Sequence, residues 1–314
     1  MENLIFSLNA TLPIFFTMIL GWFFRKVGLM DEAFVKKMNK FVFQAALPAL
    51  LFQDLATVNF FEVWDTTFVL FCFSATLISI LGVTALSFFL KDKSIQGEFI
   101  QASYRSSAAI LGIAFIQNIY GNAGMAPLMI IATVPLYNVM AVVVLSLMKP
   151  QREPLNRQLL LKTLKGILTN PIILGIVAGM LWSLLKLPVP VILEKTVKNV
   201  AVLATPLGLM AMGASFEVKQ ASSRLKPAIV ASVIKLVVLV AIFLPIAVHL
   251  GFRQEKLIAI LVMLGSCTTV SCYIMAKNMG HEGILTSSTV MLTTLFSAFT
   301  LTGWLYLLRS LAFI

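Results

Sequence analysis

Apolar runs separated by short polar or basic stretches follow one another along the whole chain. Ten of them match or approach the about 20 residues with which a helix crosses the hydrocarbon core of a bilayer. They cover residues 4–24, 37–53, 66–90, 98–119, 123–148, 161–185, 197–216, 227–250, 256–279 and 284–308, numbered below as segments 1 to 10. The pattern predicts an all-α polytopic membrane protein with ten transmembrane helices. Connections this short leave no room for a separate catalytic domain outside the membrane.

Composition agrees: 59% of the residues are hydrophobic and 12% charged, against about 45–50% and about 25% in soluble domains. That balance excludes a soluble enzyme. The net charge of +11 would suggest nucleic acid in a soluble chain, but here the basic residues sit in short loops, where they set orientation. Connections after segments 1, 3, 5, 7 and 9 hold sixteen Lys and Arg, and the opposite side holds six. Both termini are therefore expected outside and the 149–165 connection in the cytoplasm. Cys72, Cys267 and Cys272 fall within apolar runs as small hydrophobes, without disulfide or metal spacing. The first run lacks a basic n-region and a cleavage site, so it is expected to be retained.

Displaced by 158 residues, the chain places Pro13 on Pro171, Gly21 on Gly179 and Pro48 on Pro206. Proline disrupts a helix interior, so matched prolines are more informative than matched leucines. The offset is close to half the length. Five segments per half is an odd number, so the second half enters the membrane from the other side, the inverted plan of many secondary transporters. The expected division is a first five-helix repeat over 1–150, a cytoplasmic loop over 151–165 and an inverted repeat over 166–314.

Segments 4 and 9 correspond at this offset, and both concentrate small and hydroxyl residues at membrane depth. Close helix packing explains either one alone, but matched placement in two halves points to discontinuous helices around a binding site. The candidates are Arg105, Ser106, Ser107 and Gly112 in segment 4, and Gly265, Ser266, Thr268, Thr269 and Ser271 in segment 9. Asn138, three residues after Pro135, either faces the site or satisfies backbone freed by the proline. Half-helix N-termini would present positive dipole ends to a carboxylate. Arg105 and Lys235 are the basic residues left outside the loop count, each well inside a segment, and both lie within reach of a side chain that snorkels to the cytoplasmic surface. Asp65, opening segment 3, is a weak candidate for ion coupling; Asp54, His249 and His281 read as solvated or structural. Gly175 and Gly179 form a GxxxG, which indicates a close helix contact. No metal-ligand cluster, phosphate loop or catalytic triad has a plausible context, so neither enzymatic chemistry nor a cofactor is expected.

Asn39-Lys40-Phe41-Val42 with Leu47-Pro48, Arg105-Ser106-Ser107 leading to Leu111-Gly112-Ile113, Tyr120-Gly121, Pro135-Leu136-Tyr137-Asn138, Asn170-Pro171, and Pro206-Leu207-Gly208 with Met212-Gly213-Ala214-Ser215 together resemble the auxin efflux carrier family in its bacterial branch. The resemblance covers essentially the whole chain. It implies two inverted five-helix repeats, similar to the bile acid sodium symporters, with helices 4 and 9 broken and crossing. It also implies a scaffold of helices 1, 2, 6 and 7, a transport domain of helices 3–5 and 8–10 that moves as an elevator, and a homodimer in the bacterial plasma membrane. The implied substrate is a small organic anion such as malate, malonate or an auxin-like acid, driven by a proton or sodium gradient. Family members commonly carry Asn where this chain has Ser107 and Pro where it has Ala114, and plant members carry Pro at the position of Cys272, so the breaks here would lack their prolines. A channel or uniporter, and a membrane sensor without transport, are the rival readings.

Overall fold

Two hydrogen-bonding demands, helix ends that need partners and glycines that admit a neighbouring backbone, organise the packing in the computed structural model of the chain. It describes residues 2–56, 64–108, 113–121, 124–150 and 157–314, and regular structure among them is helical throughout. The helices are α1 (Glu2–Lys26), α2 (Glu32–Phe41), α3 (Leu47–Ala56), α4 (Thr66–Ser87), α5 (Gln96–Tyr104), α6 (Ile113–Tyr120), α7 (Ala126–Leu147) and α8 (Arg157–Leu168). They continue as α9 (Pro171–Leu184), α10 (Val191–Ala201), α11 (Ala204–Ala214), α12 (Val218–Ser223), α13 (Leu225–Val233), α14 (Leu239–His249), α15 (Gln254–Gly265), α16 (Ser271–Asn278) and α17 (Ile284–Ser310). A π turn, Val42–Ala46, joins α2 to α3, and another, Ile234–Val238, joins α13 to α14.

Among the described residues, five stretches are long and apolar enough to cross a membrane: Thr66–Ser87, Ala126–Leu147, Val191–Ala214, Leu225–His249 and Ile284–Ser310. Segments 4 and 9 are each in two helical pieces rather than one. α5 and α7 begin at Gln96 and Ala126, and α15 and α17 begin at Gln254 and Ile284, each 158 residues later.

The connection expected as a loop over 151–165 is helical from Arg157 onward. Its residues are good helix formers without a proline, so α8 persists until Asn170-Pro171, where the Asn170 side chain accepts from Ile172 N at 2.9 Å and starts α9. The second segment likewise starts earlier and ends later than expected, at Glu32 and Ala56. Asp31 caps its start by accepting from Phe34 N.

α1 packs on α11, and α3 packs on α9. Glycines set both crossings. A Cβ on Gly21 would lie 2.2 Å from the Met210 carbonyl oxygen, and one on Gly213 would lie 1.9 Å from that of Met18. At the other crossing Gly175 faces the Pro48 carbonyl at 2.5 Å and Gly179 that of Phe52 at 2.7 Å. The GxxxG of α9 is thus a close helix contact, as its spacing predicts. Elsewhere α4 packs on α7 and α13 on α17, while α5 touches α4, α7, α13 and α17. α5 and α15 are buried on every face, whereas α9 and α13–α14 turn Leu174, Val177, Leu181, Val230 and Ile242 outward, as a bilayer-facing surface requires. The one charged group of the buried α5 is paired: Glu98 accepts from Gly283 N at 2.8 Å, Thr286 N at 3.0 Å and Thr286 Oγ1 at 2.9 Å, placing a carboxylate on the N-terminus of α17.

Gly213→Val and Gly175→Val are each expected to cost several degrees of thermal stability or the folded protein altogether, because the atoms in the way are backbone. Gly82→Ala and Gly303→Ala, where a Cβ meets nothing within 4 Å, should be neutral or stabilise by about 0.5–1 kcal/mol. Thermal unfolding of the detergent-solubilised variants checks this; equal stability across the four would refute the crossings.

Candidate functional site: two interrupted helices around one cavity

Helix α5 ends at Tyr104, after which Arg105 is extended; α15 ends at Gly265, after which Ser266 is extended. Each ending leaves carbonyls without an intrahelical donor, in an interior that water does not reach. The two breaks adjoin and supply one another. Ser107 N donates to Cys267 O at 2.9 Å, Thr268 Oγ1 donates to Ala102 O at 2.8 Å, and Gln101 Nε2 donates to Cys272 O at 2.9 Å. Ser106 Oγ donates to Met263 O and sits 2.8 Å from Ser266 Oγ. Thr268 N is taken by Thr293 Oγ1 of α17 at 3.0 Å.

Two cations lie at these breaks. Arg105 is 2% exposed and Lys235 0%, so neither snorkels to a surface. Arg105 Nη2 donates to Asn138 Oδ1 at 2.8 Å and to Ser271 Oγ at 2.9 Å, and Nη1 lies 2.9 Å from Met275 Sδ. Its Nε is buried without a hydrogen bond. Lys235, carried by the second π turn, donates to Leu264 O and, at 3.4 Å, to Met263 O, so its ammonium caps the C-terminus of α15. Neither cation has a carboxylate within ion-pair distance among the described residues.

A cavity of about 280 Å³ opens at the breaks, near the lower end of ligand pockets at about 300–1,000 Å³. Arg105, Ser106, Ser107 and Asn138 line it from one half of the chain, and Thr268, Thr269 and Ser271 from the other. Asn138 faces the site: its Oδ1 holds Arg105, and its Nδ2 donates to Val134 O at 2.8 Å, which is not the Ile131 carbonyl that Pro135 leaves without a donor. Ser266 stands behind the lining against Ser106, and Gly265 closes α15, where a Cβ would meet Val240 Cγ2 at 2.9 Å. Gly112 lies outside the described residues. Asp65 is elsewhere: it caps α4 by accepting from Phe68 N at 3.0 Å and pairs with Lys256. The Lys256 hydrogen bond holds its carboxyl below the ordinary range.

Sequence reasoning missed part of the lining. Ile14, Leu47, Leu50, Asp54 and Thr205 also line the cavity. Leu47, Leu50, Leu51 and Asp54 follow the i, i+3, i+4, i+7 rule for one helix face, but the expected helix stopped at Gln53 and left Asp54 to a loop. Running the helix on to Ala56 puts the acid on the cavity face.

A family model described as "Membrane transport protein" matches residues 6–305. A Rhizobium meliloti (strain 1021) protein named "Putative malonate transporter" is 24% identical over 309 residues, covering 96% of each chain.

If the breaks hold one another, Ser106→Ala and Ser266→Ala should each lower stability by about 1–3 kcal/mol, and the double variant by less than the sum of the two. Thermal or denaturant unfolding of the three variants checks the coupling; strict additivity would mean the two hydroxyls act independently.

Proposed function

We propose, from the premise that the chain belongs to the membrane transport protein family of auxin efflux carriers, that it is a secondary active carrier which moves a small organic anion through the cavity at the breaks. The observation that carries this reading is the Arg105 guanidinium. It is fixed by Asn138 and Ser271, has no acid partner among the described residues, and lies among hydroxyls in a cavity sized for a short acid. A buried cation without a counter-ion favours an anionic ligand. The N-terminus of α16, at Ser271, adds a positive dipole end on the same side. The name of the Rhizobium relative makes malonate the first substrate to try, with malate and auxin-like monocarboxylates beside it.

The common 158-residue displacement of the helix starts supports ten spans in two inverted five-helix repeats, with α5–α6 and α15–α16 as the interrupted spans. The glycine contacts support the same symmetry: Gly21 meets Met210 as Gly179 meets Phe52, both partners 158 residues apart. In this reading the glycine-tight group of α1–α3 and α9–α11 is the scaffold, and the remaining helices slide against it as an elevator carrying the cavity. A homodimer through the scaffold and a plasma-membrane location belong to the same proposal. Outside termini rest on the sixteen-to-six division of loop cations.

Proteoliposomes containing the purified protein should accumulate radiolabelled malonate, or another short acid of a carboxylate panel, when a proton or sodium gradient is imposed. Arg105→Gln should weaken uptake at least tenfold while the protein stays folded and inserted. Uptake by Arg105→Gln at the unaltered rate would move the site away from the breaks, and uptake that ignores both gradients would make the protein a facilitator.

A further inference from the structure

An acid lining an anion cavity is an electrostatic contradiction that a proton resolves. Asp54 is half-buried near the end of α3 and makes no hydrogen bond or ion pair among the described residues. It lines the same cavity as Arg105. Of the elements packed on α3, α9 and the Val42–Ala46 turn carry no ionisable side chain, and α10 carries Glu194, Lys195 and Lys198, all exposed. The other ionisable groups lining the cavity are Arg105, Tyr137 and Cys267. Among the described residues no cation pairs with this carboxylate.

A short dicarboxylate with one carboxylate on Arg105 would hold its second in the same small cavity that Asp54 lines. Two carboxylates at one water-poor site do not both stay ionised; they hold one proton between them. We propose that the cavity takes a dicarboxylic acid together with one proton, shared between the second carboxyl group of the substrate and Asp54, so that anion and proton travel as one load. The balance is simple: the dianion and the Asp54 carboxylate bring three negative charges, and one proton from solution leaves two, opposite the two buried cations Arg105 and Lys235. No bond other than that to the proton forms or breaks. The proposal rests on the cavity being the anion site, and it adds what the substrate must carry: one ionised carboxylate and, at its other end, a hydrogen-bond donor.

Titration calorimetry of the full chain in detergent, with malonate at pH 8.5 in two buffers of different ionisation enthalpy, counts the protons taken up on binding. The expected result is close to one proton per malonate, with affinity falling about tenfold for each further pH unit. Malonamate, which has one carboxylate and a neutral amide donor, should bind with no proton uptake. In Asp54→Asn the uptake on malonate should fall to near zero and the affinity should lose its pH dependence. Binding of malonate to the unaltered protein without proton uptake, or equal uptake by Asp54→Asn, would overturn the proposal while leaving the anion site intact. If no acid of the panel binds the unaltered protein, the anion-site reading fails and this proposal with it. The count on the unaltered protein decides the matter even where Asp54→Asn does not fold.

Discussion

A backbone carbonyl or amide stranded in a membrane-depth interior costs several kcal/mol unless something pairs with it, and the two breaks of this protein meet that constraint by pairing with each other. Ser107 N reaches across to Cys267 O, Thr268 to Ala102 O, Gln101 to Cys272 O, and Ser106 to Met263 O. Each interruption draws partners from the other, with Thr293 and Lys235 supplying further ones. Such interlocking ties α5, α15 and α16 together, as the proposed elevator movement of the cavity would require. It also explains how the breaks persist without prolines at Ala114 and Cys272. Proline would remove an amide that is an orphan at a helix start, whereas here the crossed hydrogen bonds make the extended backbone the satisfied state.

The same breaks determine where charge is tolerated. Each exposes the negative end of a half-helix, and each has a buried cation nearby: Lys235 on the last carbonyls of α15, Arg105 immediately after α5. A charge at the membrane centre costs about 2.5–3.5 kcal/mol by insertion scales, which helix dipoles and the Asn138 and Ser271 oxygens offset only in part. The remaining imbalance favours an anion in the cavity. Lys235 differs from Arg105 in having its ammonium committed to carbonyls, so it contributes field rather than contact, while the guanidinium of Arg105 keeps an unpaired Nε.

Much of this was legible in the sequence, for reasons that separate one residue from another. Apolar run length marks the helices because a bilayer fixes their length, and the matched clusters of Ser, Thr and Gly marked the breaks because small and hydroxyl residues are what a close crossing of two interrupted helices accommodates. Gly175 and Gly179 announced their contact by spacing alone. Asp54 was hidden because helix ends are the least certain feature of a pattern: three further residues of helix turn a loop acid into a cavity acid. Lys235 was hidden because depth along a helix does not say which way a long side chain points, and only its neighbours show that it turns inward to α15. The first turn of α8, from Arg157 to the expected helix start at Leu161, escaped because its basic surroundings read as a loop signal.

The central claim is that the anion is held between the two breaks, against Arg105 and the Thr268–Ser271 stretch. A structure of the protein with a bromine-labelled short dicarboxylate, located by anomalous scattering, tests it most directly. The account predicts the bromine signal inside the cavity, within a few ångströms of Arg105 and Thr269, and absent in Arg105→Gln. A signal confined to the outer cluster of Arg253, Glu255 and Lys256, where a second and more open pocket lies, would contradict it.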